Sequence, residues 1–145
     1  MKKLFALLLV GIATVTTMNA QQALGLRLGG GTASGAEVSY QKDLGTANRL
    51  EADLGSWGSS LSLTGIYQWV WDLNDLGEGF KWYAGPGIGV RLFDGFGAGI
   101  NGQIGIEYNI PDVPLQISLD ARPGWYSGGS YGFGYGAALG VRYKF

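Results

Sequence analysis

Histidine and cysteine are both absent from the 145 residues, proline occurs four times, and charged residues make up 14%. Each shortage excludes something. Without cysteine there is no disulfide, and no thiol for acylation as a lipoprotein. Without histidine or cysteine the common zinc ligands are missing, and no acidic loop has calcium-binding spacing, so no metal or other cofactor is expected. The missing histidine also removes the most frequent general base. The charge content lies well under the roughly 25% of an average soluble domain, and no basic field is available to attract nucleic acid. The glycine run from Gly29 to Gly35 is followed by neither Lys-Ser/Thr nor a helical pattern, so it reads as a loop and not as a phosphate cradle.

Against these absences stand 27 glycines and five tryptophans. At the start, Lys2 and Lys3 precede the apolar run Leu4 to Val15 and the more polar Thr16 to Ala20. That order is the charged, apolar and polar succession of a secretory signal peptide, with cleavage expected after Ala20. The alternative, an uncleaved membrane anchor, would need a run of about 20 apolar residues. Residues 1–20 are therefore expected to be removed and 21–145 to form one domain, with eight basic and eleven acidic residues and a net charge of −3. No proline-rich linker, charge block or repeat divides that domain.

The period in residues 21–145 is two, and it marks strands. The last is the clearest: Phe133, Tyr135, Ala137, Leu139, Val141, Tyr143 and Phe145 alternate with Gly134, Gly136, Ala138, Gly140, Arg142 and Lys144. Seven others precede it, at Ala23 to Gly29, Ala36 to Lys42, Arg49 to Gly55, Ser60 to Trp71, Phe80 to Leu92, Ala98 to Tyr108 and Leu115 to Trp125. Each sets an apolar face against a polar or glycine face, for example Leu50, Ala52 and Leu54 against Glu51 and Asp53. Eight strands put both ends of the domain on one side, and the predicted fold is an all-β, eight-stranded, antiparallel up-and-down transmembrane barrel.

Alternation alone does not say which face is outside, since a soluble calycin-like, lipid-binding barrel has the same period with its apolar set inside. Two features favour the membrane version. The apolar set holds nearly all the aromatics, more bulk than an interior of about eight strands takes. A soluble surface built from Gly85, Gly87, Gly89, Gly134, Gly136 and Gly140 would also be poorly charged.

Val141, Tyr143 and the terminal Phe145 resemble the C-terminal sorting signal of Gram-negative outer membrane barrels. The segment Glu107 to Pro123, with Pro111 and Pro114 shaping a turn and Asp120 and Arg122 facing inward, resembles small, mostly uncharacterised outer membrane barrels. More distantly, the whole domain resembles the eight-stranded barrels of the outer membrane protein A and X type. These resemblances imply an outer membrane location in a Gram-negative bacterium, membrane lipids as surroundings, and periplasmic chaperones and the outer membrane assembly machinery as partners during biogenesis. They imply a monomer and no particular activity.

Two aromatic belts are expected, with Trp57, Trp125, Tyr126 and Tyr131 near one set of hairpin ends and Trp69, Trp71, Trp82, Tyr108 and Tyr143 near the other. The inward face collects Arg27, Lys81, Arg91, Arg122 and Arg142 with Glu37, Glu51, Asp53, Glu107 and Asp120. Buried charges need partners, so these ten are expected to form a network that plugs the lumen, with a structural or envelope-integrity role. If instead the glycines of the fifth and eighth strands leave space, the barrel is a narrow passive pore. A lipid-modifying enzyme is the third reading. Asp53 with Glu51 or Asp120 could be proposed for it, but the missing histidine argues against it. The short outer loops weaken an adhesin reading. Arg122→Leu is expected to strand Asp120 or Glu107, and Leu119→Ile to be nearly silent.

Overall fold

The computed structural model describes residues 21–31, 35–57, 60–92, 95–128 and 132–145, with the side chain of residue 57 excepted. The expected signal peptide and Tyr131 lie outside these residues. Ten extended segments follow one another: β1 (Gln22–Gly31), β2 (Ala36–Asp43), β3 (Asn48–Trp57), β4 (Ser60–Asp72), β5 (Phe80–Leu92), β6 (Gly97–Asn109), β7 (Leu115–Ala121), β8 (Gly124–Tyr126), β9 (Phe133–Gly134) and β10 (Gly136–Lys144).

They make eight barrel strands. β7 and β8 are one strand, because β6 pairs with both in a single register and Gly102 donates to the Pro123 carbonyl at 2.8 Å between them. Pro123 has no N–H to return, and the rung it leaves open divides a strand that alternation alone makes continuous. β9 and β10 are likewise one strand, with the Arg122 amide bonded to the Gly136 carbonyl across the interval. Every strand runs antiparallel to both neighbours, and β10 closes on β1, so no sheet edge is left open among the described residues. At the seam Gln22 and Phe145 exchange two backbone hydrogen bonds, of 2.9 and 3.1 Å.

The register sets the shape. Following partners once round, from Gly134 through Gly124, Asn101, Gly87, Ile66, Glu51, Gln41 and Ala23, arrives at Lys144, ten residues further along the strand it left. With about 3.3 Å per residue and about 4.8 Å between strands, that stagger tilts the strands by about 40° and gives a backbone radius of roughly 8 Å. Such an interior holds side chains and little else.

Burial inverts the pattern of a soluble domain. Ile88 is 68% exposed, Leu28 60% and Leu139 58%, whereas Arg27, Gln68 and Arg142 are 0% exposed. The apolar set faces out on every strand, which is the reverse of a calycin-like barrel. Connections of four, seven and five residues link the strands on the side of the termini. In one of them Gly77 and Gly79 take positive φ, and in another Asp112 sits at φ 63°, a left-handed conformation that aspartate tolerates better than most residues.

Candidate functional site in the barrel lumen

Four arginines and five carboxylates are buried among the described residues, and all nine project from alternate positions of the strands into the barrel. Glu51 is the hub. Its Oε1 accepts from Arg122 Nη2 at 3.1 Å and Gln103 Nε2 at 3.0 Å, and its Oε2 from Arg142 Nη2 at 3.2 Å, Gln68 Nε2 at 3.1 Å and Gln41 Nε2 at 2.5 Å. Five donors from β2, β4, β6, β10 and the β7–β8 junction thus converge on one side chain of β3. Charge-assisted bonds of this kind are the stronger class of hydrogen bond, and those from β6, β10 and the β7–β8 junction tie β3 to strands with which it shares no ladder.

On one side of the hub, Arg122 also donates to Asp53 at 2.5 Å and Glu37 at 3.4 Å. Arg27 bridges Glu37, at 2.6 Å, and Asp120, which it grips with Nε and Nη2 together. On the other side, Arg49 holds Glu107 through two nitrogens at 3.1 and 2.7 Å and bonds Gln68. Its guanidinium lies 4.9 Å from the centre of the Tyr83 ring, a cation–π contact, and the Tyr83 hydroxyl reaches Asp120 at 3.3 Å. Arg142 is held by Ser39 at 3.0 Å and Ser118 at 2.8 Å besides Glu51. Three buried atoms, Asp53 Oδ1, Asn101 Oδ1 and Arg122 Nε, find no hydrogen-bond partner among the described residues.

The inward glycines provide room for larger neighbours. A Cβ on Gly105 would lie 2.5 Å from the Tyr83 ring and hydroxyl, and one on Gly99 would lie 2.4 Å from the Tyr126 ring. Each glycine is the direct cross-strand partner of that tyrosine, which folds over it into the lumen. On the strands thought to open a pore, the place of a Gly87 side chain is taken by Asn101 and Ile66, and that of Gly140 by Ser118 and Arg142.

Eight of the ten charges expected inward are in this network: Arg27, Glu37, Glu51, Asp53, Glu107, Asp120, Arg122 and Arg142. Lys81 and Arg91 are not buried with them. Lys81 lies at the mouth near the termini, 39% exposed and 3.8 Å from Asp72, and Arg91 is half-buried towards the opposite end of β5. They stand near the ends of a 13-residue strand, beyond the packed levels. The expected partners of Arg122 also differ: Asp120 belongs to Arg27 and Glu107 to Arg49. Arg49 itself was missed as a site residue, although it shares the parity of Glu51 and Asp53 in the same strand. Tyr83, which shares the parity of Lys81 and Gly85 in β5, is also buried in the lumen.

Of the aromatic residues, Trp71 stacks on Trp82 at 4.2 Å, Phe80 lies against Tyr108 at 4.5 Å and Tyr143 against Phe145 at 6.4 Å, all near the terminal side. Trp69 joins them, edge-on to Tyr67. Towards the other side, Trp125 lies 6.2 Å from Phe133. Tyr126 leaves the expected belt, since its parity turns it inward, where Asn101 donates to its hydroxyl. The side chain of Trp57 and all of Tyr131 are outside the described residues. Val141 is an outward residue of β10 at 53% exposure. Among the described residues no group of histidine, cysteine, aspartate and glutamate could hold a metal.

The chain matches no protein-family model and no curated protein. Among solved structures it is similar to a designed protein from work described as "De novo design of transmembrane beta-barrels". The identity is 15%, the TM-score 0.62, and the match covers 89% of this chain and 98% of that one. At that identity the likeness concerns the fold alone: a closed, all-β, eight-stranded antiparallel barrel, built as in transmembrane barrels.

Proposed function

We propose that the chain is an integral outer membrane barrel of a Gram-negative bacterium, exported by its N-terminal signal peptide, with a structural or envelope-integrity role. One observation carries this reading: the exposed face is apolar around the whole barrel while four arginines and five carboxylates fill the inside. Water on the outside would be a poor solvent for that surface, whereas lipid needs nothing else from it. The ion-pair network is read as a plug that braces the strands from within. The barrel is read as non-enzymatic, since Glu51, Asp53 and Asp120 are each engaged by arginine and the chain has no histidine. Its partners are membrane lipids and, during biogenesis, periplasmic chaperones and the outer membrane assembly machinery, and it acts as a monomer.

A second reading, a narrow passive pore, draws on a polar hollow of about 50 Å³ at the mouth near the termini, lined by Gln41, Asn48, Arg49, Glu107 and Lys144 among others. Single-channel recording in a planar bilayer separates the two, on protein first shown to migrate as a compact, heat-modifiable species. The plugged barrel is electrically silent. Discrete conductance steps that change in Arg142→Gln would overturn the plug in favour of the pore.

A further inference from the structure

The outer wall carries a trough of about 940 Å³ across six strands. Its floor is made of small or ring-closed residues, Ala52, Gly65 and Gly102 with Pro86 and Pro123, in adjacent outward rows of the register. Tyr67, Ile88, Ile100 and Trp125 stand up as its walls. Both prolines thin the same stretch of ladder. Gly102 directs its amide to Pro123, so the Pro86 nitrogen faces β4, and there the pairing lapses between Ile66↔Gly87 and Trp69↔Ala84.

We propose that this trough is a binding site for one acyl chain of a membrane phospholipid, held more firmly than the lipid around the rest of the barrel. The proposal rests on the membrane reading above. Among the described residues no charged side chain points outward into the trough, since Glu51, the one charged residue along it, faces the lumen, so a headgroup or a peptide backbone would find no partner there. The trough is open and shallow, and its volume lies within the range of a small-molecule site. The shape argues for a chain. Six strands about 4.8 Å apart make a trough about 24 Å long, and a strand tilt of about 40° runs it obliquely, so its ends differ in depth by about 15 Å. That is about half of a hydrocarbon core about 30 Å thick, the depth of the chains of one leaflet.

The trough can be filled without disturbing the lumen. A Cβ at Gly65 meets nothing within 4 Å, and one at Gly102 meets only the Gly85 carbonyl at 3.9 Å. The test uses the mature chain folded into dimyristoylphosphatidylcholine vesicles, extracted in mild detergent and weighed by native mass spectrometry. The wild type should retain one phospholipid per barrel. Gly65→Leu with Gly102→Leu should lower the retained fraction at least fivefold, and Ala137→Leu, which enlarges a residue on the exposed face of β10, should leave it unchanged. Gly65→Leu alone serves if the double variant does not fold. Equal retention in the trough variant and the Ala137→Leu control, no retention by folded wild type, or a bridging second copy would each overturn the proposal. Flotation with the vesicles is scored in parallel. Protein that floats without retaining lipid refutes the trough alone, and protein that does not float refutes the membrane reading and the trough with it.

Discussion

Replacing Glu51 by leucine should be among the most damaging single changes in the barrel, and the two arginines it serves explain why. Arg122 would keep Asp53 and Glu37, but Arg142 would keep only the neutral groups of Ser39, Ser118 and Gln116. A guanidinium with 0% exposure would then have no anion beside it. Removing one partner of a buried pair costs about 3–5 kcal/mol. Gln41, Gln68 and Gln103 each lose an acceptor as well, about 1 kcal/mol apiece where nothing replaces it. The sum, about 6–8 kcal/mol, is a large share of a typical stability of about 5–15 kcal/mol. The reverse change is milder: Arg142→Leu leaves Glu51 with Arg122, so it should cost about 2 kcal/mol less than Glu51→Leu. The double variant removes the stranded charge and should lie nearer the Arg142→Leu single than the sum of the two. Urea unfolding in phospholipid vesicles, followed by tryptophan fluorescence, measures all three. A Glu51→Leu effect under about 1 kcal/mol, or simple additivity in the double variant, would refute the hub.

Gly105→Ala should destabilise the fold by about 1–3 kcal/mol, because its methyl group meets the Tyr83 ring, and Tyr83→Leu in the same chain should recover most of the loss. Gly30→Ala, with nothing within 4 Å of the new carbon, should stay within about 0.5 kcal/mol of wild type on the same urea curves. Leu119→Ile, outward and 52% exposed, should also be nearly silent, whereas Arg122→Leu should be costly through Asp53, Glu51 and Glu37. Equal effects of those two substitutions would mean that the inward and outward faces are exchanged.

Much of the lumen was legible because a strand has only two faces. Once Leu50, Ala52 and Leu54 are put outside, Glu51 and Asp53 have no choice of side, and the same parity carries Arg27, Asp120, Arg122 and Arg142 inward. Arg49 follows the same rule, and its omission came from its position at a strand end, not from any weakness in the signal. Tyr126 erred the other way, since an aromatic residue near a hairpin reads as a belt residue until its even position, shared with Arg122 and Gly124, is taken seriously. The break at Pro123 was equally visible as a missing donor.

Depth was not legible. Parity says which side a residue takes, while the stagger between strands says what level it occupies, and that depends on registers formed between segments distant in sequence. Asp120 and Arg122 are neighbours on one strand, yet they pair across the barrel with different strands, Asp120 with Arg27 of β1 and Arg122 with Glu37, Glu51 and Asp53 of β2 and β3. Lys81 and Arg91 have the right parity and the wrong level. The chain's alternation of apolar and polar residues, with the aromatics in the apolar set and the glycines opposite, was enough to determine an eight-stranded barrel turned inside out. Only closure, with its stagger of ten residues, decided that Glu51 is the hub, that tyrosines occupy the space left by glycines, and that small outward residues from five strands line up into one trough.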